Sequence, residues 1–441
     1  MNHFYERQNP LNNISESEFN EKLDQIASTF GENWLETESE HPLQKLWNRR
    51  DYLATNELYI LGNALLELKK IDNKWVNSQV KHILGRDENN RRGAFFELIG
   101  MSYLLNENVQ LIPSAACQPG IDGCLQFSDN YKINFSLKRY GLSTHHRTFL
   151  EESNKVEKII VEELENSSSN TIQVYIASVD KLPNSSDWHL LKIRISDIVK
   201  NFKSAPIEFK LENKSWSIKV RPLINYNSIY HETKKSYTCI IASPFHKNEK
   251  ENLFSKLDDA CINLAKHSSQ NSKPCNFIYI HLPVTASVKS CCNWAKEYFD
   301  NFPNKPLAGI IFYQPSSVNS RGSTLINHYI GLETSRKFEV WQGGNANHII
   351  KLNFPVGICS ETSPVLVYHT GNRTQVLDNC YVFQSGNHYL KMVEREDGTY
   401  QRSLIELPSG IHMHTICKPP NSQHEIQISG VFPPTDELLI V

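Results

Sequence analysis

Between Arg91 and Ala177 the sequence passes twice from a helical to a strand-like pattern, and this order leaves few folds open. Apolar residues at helical spacing are followed by short β-rich runs with turn signals between them. The predicted elements are, in chain order, a helix over 92–106, strands over 109–112, 122–127 and 131–140, a helix over 147–165 and a strand over 171–177. An α-β-β-β-α-β order is typical of helices that cover a mixed sheet, so we predict the α/β fold class.

The rest of the chain divides into three further parts. Residues 1–90 are predicted to be helical, because Ser15 and Glu18 have capping-box spacing and apolar residues then recur at helical intervals. Residues 226–335 again combine helical and strand patterns. Residues 336–441 have short β-rich runs between Gly, Asn and Pro turns, which predicts a sandwich or small barrel. We therefore predict four domains, namely residues 1–90, 91–225, 226–335 and 336–441.

Residues 226–335 resemble a degenerate second copy of the preceding unit. Residues 237–242 align with 131–136, and a helix, a polar spacer and a strand follow at an offset of 104 to 106 residues. In this alignment Pro244 stands opposite Lys138, so a second copy would carry no site. The alternative is that any two β-α-β units look alike from their patterns alone.

The composition excludes several classes of protein. Apolar residues make up 39% of 441 residues, enough for real cores, and the net charge of −2 excludes a basic nucleic-acid coat. The sequence has no apolar run near the ~20 residues that span a bilayer and no secretory h-region at its start, so we expect no membrane contact. The ten cysteines form no CxxC pair, so we expect reduced thiols and a cytoplasmic location.

Three residues of the α-β-β-β-α-β segment stand out chemically. Glu97 lies among small and apolar residues of the predicted helix, where an uncompensated carboxylate is costly to bury. Asp122 lies between glycines where a turn enters a strand. Alternation along the next strand puts Ser136 and Lys138 on one face, and the two strands form a predicted hairpin. Asp122 and Lys138 can therefore share a pocket.

The predicted α-β-β-β-α-β order resembles the PD-(D/E)xK nuclease superfamily when it is combined with an acid on the helix (Glu97), an Asp at a strand entry (Asp122) and a Lys on the next strand (Lys138). This resemblance implies a restriction-endonuclease-like αβββαβ core. The motif is degenerate: Ile121 replaces the usual Pro, and Ser136 stands where the family usually carries an acid. The resemblance covers residues 91–177, roughly a fifth of the chain.

The resemblance implies a role for each matched position. Asp122 would bind a divalent ion, usually Mg²⁺ with Mn²⁺ as a substitute, Glu97 would ligate or support it, and the carbonyl of Leu137 would complete the shell. Lys138 would position or activate water, or stabilise the developing phosphate charge. Mg²⁺ often uses only one or two carboxylates, and phosphodiester hydrolysis needs a Lewis acid and an in-line water. Because Ser136 stands in place of an acid, the site has one acidic ligand fewer than the family pattern. It would then either bind a metal weakly or be inactive.

A local basic cluster follows the predicted Lys138 strand. It consists of Arg139, His145, His146 and Arg147, and it could meet a phosphate backbone or be a plain surface loop. Gln118, close to Asp122 in sequence, is a further candidate for the same pocket.

We predict a metal-dependent endonuclease that acts on DNA, of restriction type or part of anti-phage defence. An activating protein subunit or a homo-oligomer is a further expected partner. The alternative is a catalytically inactive nuclease-fold protein that binds nucleic acid or serves in assembly, and an interaction scaffold is the third reading. In those readings Glu97 is a surface helix acid, Asp122 caps a turn and Lys138 is a solvated strand residue. Ser136 favours an inactive protein, whereas the co-occurrence of Glu97, Asp122 and Lys138 favours an enzyme.

Overall fold

The chain is a mixed α/β protein with mixed sheets, as predicted. The computed structural model describes residues 14–37, 39, 41–49, 52–114, 121–128, 131–140, 143–167, 171–178, 180–203, 205–211, 215–222, 236–267, 275–320, 323–342, 350–370, 373–386, 391–396, 399–404, 415–417 and 426–428. No helix within these residues is long and apolar enough to cross a membrane.

The described helices and strands are numbered in chain order. The helices are α1 (Glu16–Phe30), α2 (Glu32–Leu35), α3 (Pro42–Asn48), α4 (Tyr52–Leu84), α5 (Glu88–Tyr103), α6 (Thr144–Asn166), α7 (Ser185–Lys200), α8 (Glu249–His267), α9 (Val288–Asn301) and α10 (Arg336–Gln342). The strands are β1 (Gln110–Pro113), β2 (Gly123–Ser128), β3 (Tyr131–Arg139), β4 (Thr171–Ser178), β5 (Ile207–Lys210), β6 (Trp216–Arg221), β7 (Ser236–Pro244), β8 (Cys275–His281), β9 (Gly309–Ser320), β10 (Ser323–Thr334), β11 (Ile358–Cys359), β12 (Val365–Thr370), β13 (Arg373–Val376), β14 (Cys380–Gly386), β15 (Lys391–Glu396), β16 (Thr399–Leu404), β17 (Thr415–Cys417) and β18 (Ile426–Ile428).

Local capping signals fix the N-terminal helices. The Ser15 hydroxyl accepts a hydrogen bond from the Glu18 amide (3.2 Å), which confirms the predicted start of α1. The Glu18 carboxylate instead accepts from the Tyr59 hydroxyl (2.6 Å), so only half of the capping box forms. Helix α4 consists of two helical stretches that meet at the non-helical Asp72, whose side chain caps the Trp75 amide (2.9 Å).

The first sheet has seven strands in the order β1-β2-β3-β8-β9-β10-β11. β1, β2 and β3 are antiparallel neighbours, whereas β3, β8 and β9 run parallel. One face packs against α4 and α5, where Phe135 and Leu137 are buried, and α1 packs on α4. The other face packs against α8 and α9, where Ile278 and Ile280 are buried. Both faces are covered, as parallel strands require.

The second sheet has the order β14-β7-β4-β6-β5, and α6 and α7 pack against it. The chain leaves the first sheet after β3, builds most of the second sheet over residues 143–244, and returns through α8 to β8. The prediction that 147–165 and 171–177 complete the unit begun by α5 is therefore wrong. The helix and strand that follow β3 in space are α8 and β8. An amphipathic helix followed by an apolar strand occurs at both places, and a local pattern does not choose between them.

The predicted domains do not coincide with the sheets. Residues 91–225 supply strands to both sheets, and β8 to β10 of the predicted second unit extend the first sheet. Within residues 336–441, β11 joins the first sheet and β14 joins the second, while β12, β13, β15 and β16 form a sheet of their own. The described residues of this part form α10 and eight strands, and these strands are shared among sheets.

A close contact between α5 and β3 sets the position of the candidate site. A β-carbon added at Gly100 would lie 2.7 Å from Leu137 Cδ2, so only glycine permits this approach without a shift. Glu97 lies one turn before Gly100 on the same helix and is thereby held near the end of β3.

Candidate active site

Asp122 is fixed by its backbone at the entrance of β2. Its amide donates to the carbonyl of Phe135 (2.9 Å), and its carbonyl accepts from the amide of Ser114 (3.0 Å). These bonds extend the β1-β2-β3 ladder by one residue beyond the strand. The Asp122 carboxylate therefore emerges beside the second half of β3.

The Asp122 carboxylate contacts all three residues of the Ser-Leu-Lys sequence. Its Oδ2 accepts from the Leu137 amide (2.6 Å) and from the Ser136 hydroxyl (3.4 Å). The same oxygen lies 3.6 Å from Lys138 Nζ, with side chains 14% and 33% exposed. Asp122 and Lys138 thus lie together, as the hairpin register predicts. Ser136 is fully buried, so it contributes a hydrogen bond from inside the sheet.

Glu97 belongs to the same electrostatic cluster. Burial is the main cause that raises its pKa to about 8, and the negative charge of Asp122 raises it further. The charge of Lys138 and a hydrogen bond from the Gln79 side chain act in the opposite direction. Glu97 is therefore protonated at neutral pH when no cation is bound.

The oxygen ligands of Asp122 and Glu97 fit a hard divalent cation, although the described residues supply only these two carboxyl groups. Two carboxyl groups that interact electrostatically, of which Glu97 has a raised pKa, form a site that a cation would stabilise. Among the described residues, no group of three or more His, Cys, Asp or Glu side chains could hold a metal ion. Any ion here would take ligands from Asp122 and Glu97, with waters, a backbone carbonyl or a substrate oxygen completing the shell.

The residues of the basic cluster differ in their burial. Arg139 continues the Phe135 and Leu137 side of β3 toward α4 and α5, and burial, followed by the charge of Arg92, lowers its pKa to about 10. Of the three cluster residues on α6, Arg147 is exposed, whereas His145 and His146 are half-buried.

The two histidines of the cluster pack against neighbouring rings. His146 stacks on Tyr381 (ring centroids 5.0 Å apart), and burial lowers its pKa to about 4. His145 stacks on His246 (3.6 Å). Whether these side chains contact DNA stays a prediction.

Two residues near the site were missed from sequence. Gln79 lies on the apolar stripe of α4 formed by Trp75, Val76 and Val80, and a buried amide in such a stripe is a signal that could have been used. The charge of Lys138 contributes to the lowered pKa of Lys256 on α8, and only the pairing of β3 with β8 could have revealed that these residues are neighbours. Gln118 lies outside the described residues.

Comparison with models of known protein families and with curated proteins found no match to this chain. The case for a function therefore depends on the geometry of the site.

Proposed function

We propose that this protein is a metal-dependent nuclease that hydrolyses phosphodiester bonds in DNA. The observation that carries the proposal is the meeting of Asp122, Glu97 and Lys138 at the end of β3. The order α5-β1-β2-β3-α8-β8, with β3 parallel to β8, supports a restriction-endonuclease-like core that is interrupted by residues 143–244.

The chain's own residues suit this chemistry. A bound Mg²⁺ or Mn²⁺ would supply a Lewis acid and a polarised water. Asp122 and Glu97 would hold the ion, and Glu97 would release its proton when it binds. Lys138, one-third exposed, can reach a phosphate oxygen or an attacking water while Asp122 holds it in position. The Leu137 amide and the Ser136 hydroxyl orient the Asp122 carboxylate.

A restriction-type or anti-phage role, in which a partner subunit or a second copy of the chain activates cutting, is part of the same proposal. The second sheet, inserted between β3 and α8, is a candidate for target recognition or assembly.

The second candidate is an inactive nuclease-fold protein that binds nucleic acid. Ser136 is the observation that favours it, because a buried serine replaces the acid that would be a further ligand. This candidate keeps DNA binding but predicts no strand cleavage.

One experiment separates the two candidates. Purified protein is incubated with supercoiled and linear DNA in Mg²⁺, in Mn²⁺ and in EDTA, with Asp122→Asn as the site variant. Asp180→Asn, at an exposed position, is the matched control. We expect metal-dependent nicking by the wild type and by the control, but not by Asp122→Asn. Equal cutting by both variants would reject the site, and binding without cutting in any metal would favour the inactive protein.

A further inference from the structure

Helix α8 runs antiparallel to β3 on the face of the sheet that carries Ser136 and Lys138. Its first residue, Glu249, accepts a hydrogen bond from the hydroxyl of Tyr140 (2.9 Å), which directly follows β3. Lys256 comes seven residues later, about 10 Å along the helix axis. Lys138 precedes Tyr140 by two residues, about 7 Å along the strand. Lys256 and Lys138 therefore lie on adjacent elements, close enough for their charges to interact.

Lys256 is held at the border of the core. Leu257, the next residue, is fully buried in the cluster that also contains Ile278 and Ile280 of β8. Lys256 itself is partly buried, and burial lowers its pKa. The positive charge of Lys138 lowers this pKa further, while Glu249 and Asp259 partly offset the effect.

The Lys256 ammonium has no hydrogen bond or ion pair within the part of the chain that the structure describes. A partly buried ammonium beside a second lysine is stabilised when an anion binds both. The arrangement therefore indicates an anionic ligand rather than a contribution to folding.

We infer that Lys256 is a second phosphate-binding lysine of the site, which together with Lys138 holds the scissile phosphate of a nucleic acid. This inference rests on the proposed function, because it assigns the phosphate to the pocket of Asp122. Hydrolysis adds negative charge to the phosphate in the transition state. A site that lacks the acid at position 136 has fewer ligands for cations, so a fixed ammonium from α8 supplies positive charge at the same place.

The test compares Lys256→Gln and Lys256→Met with Lys266→Gln, which alters an exposed lysine at the far end of α8. Binding of a short DNA duplex is measured in EDTA over a series of salt concentrations, and cleavage is measured separately in Mg²⁺. We expect the Lys256 variants to lower the slope of log affinity against log salt by about one, as for one lost phosphate contact. We expect their cleavage rate to fall about a hundredfold, with an unchanged or higher melting temperature. Lys256→Arg should retain most of the binding.

The two readouts separate this inference from the nuclease proposal. An unchanged salt slope in the folded Lys256 variants would overturn the inference, whatever the cleavage rates. Absence of cleavage by the wild type would reject the nuclease activity, but the salt slope would still decide whether Lys256 binds phosphate. A wild type that does not bind DNA at all would overturn both. Two folded variants that match Lys266→Gln in both assays would show that Lys256 has no role at the site.

Discussion

Replacing Glu97 by glutamine should make the metal-free protein more stable above neutral pH and leave it unchanged in mild acid. Burial and the neighbouring Asp122 raise the pKa of Glu97 from 4.5 to about 8. Between these two pH values the folded chain binds a proton at Glu97 that the unfolded chain has released. The free energy of unfolding therefore falls as the pH rises through this window. Glutamine keeps the size and hydrogen-bonding capacity of the protonated acid but does not ionise.

The size of the effect follows from the pKa. At about 1.4 kcal/mol per pH unit, ionising Glu97 between pH 5 and pH 8 costs at most ~4 kcal/mol. Water entry and side-chain movement relieve part of this cost, so we expect Glu97→Gln to be about 2 kcal/mol more stable than the wild type at pH 8.5. Near pH 5 the two proteins should agree within about 0.5 kcal/mol.

Urea unfolding in EDTA at both pH values measures the difference. Glu107→Gln, an exposed change shortly after α5, is the control and should differ little from the wild type at either pH. Other titrating groups, such as His146 and His328 with their lowered pKa values, are common to all three proteins and cancel in the comparison. A Glu97→Gln protein with the same relative stability at both pH values would refute the assigned environment of Glu97.

Further changes test the site and its support. Asp122→Asn should lower metal-dependent cleavage at least about a hundredfold, as measured in nuclease assays. Its melting temperature, measured by calorimetry, should change little, because asparagine still accepts the Leu137 hydrogen bond. Gly100→Ala should cost about 1–3 kcal/mol in urea unfolding, because the new methyl group meets Leu137, whereas Gly93→Ala on the same helix has open space and should be neutral or stabilising. Ser136→Glu should lower the melting temperature in EDTA, because the new carboxylate repels Asp122, and it should increase the stabilisation by Mn²⁺. Equal changes of melting temperature with Mn²⁺ in this variant and in the wild type would exclude a metal pocket at Ser136.

Most of the elements could be predicted because their signals are local. The Ser15 cap depends on a side chain that bonds to a backbone group three residues away, and such a bond is visible in the sequence. The partner of β3 could not be predicted in this way. Residues 143–244 separate β3 from its parallel neighbour β8, whereas β4 follows much sooner and has the same pattern. Because connecting loops are usually short, strands that are close in sequence usually pair with each other. In this chain β3 instead pairs with the more distant β8.

The residues of the candidate site likewise divide into those that local strand pairing predicts and those that helix packing places. The alternation of β3 and the hairpin register bring Asp122 and Lys138 together, because both follow from pairing over a few residues. Gln79 and Lys256 reach the site from α4 and α8, and their positions depend on how helices pack on a sheet, which no local pattern records.

The electrostatics of the site connect Ser136 with the two lysines. With Glu97 protonated at neutral pH, the metal-free site carries one carboxylate, Asp122, and the ammonium groups of Lys138 and Lys256. An acid at position 136 would add a third carboxyl group inside a fully buried part of the sheet, next to the charged carboxylate of Asp122. A serine donates a hydrogen bond to Asp122 and adds no charge. If Lys256 binds phosphate as proposed, the site attracts an anion before a cation and phosphate would bind first. Its oxygens would then complete the ligand set that two carboxylates leave open, which makes binding in EDTA the most direct measure of this arrangement.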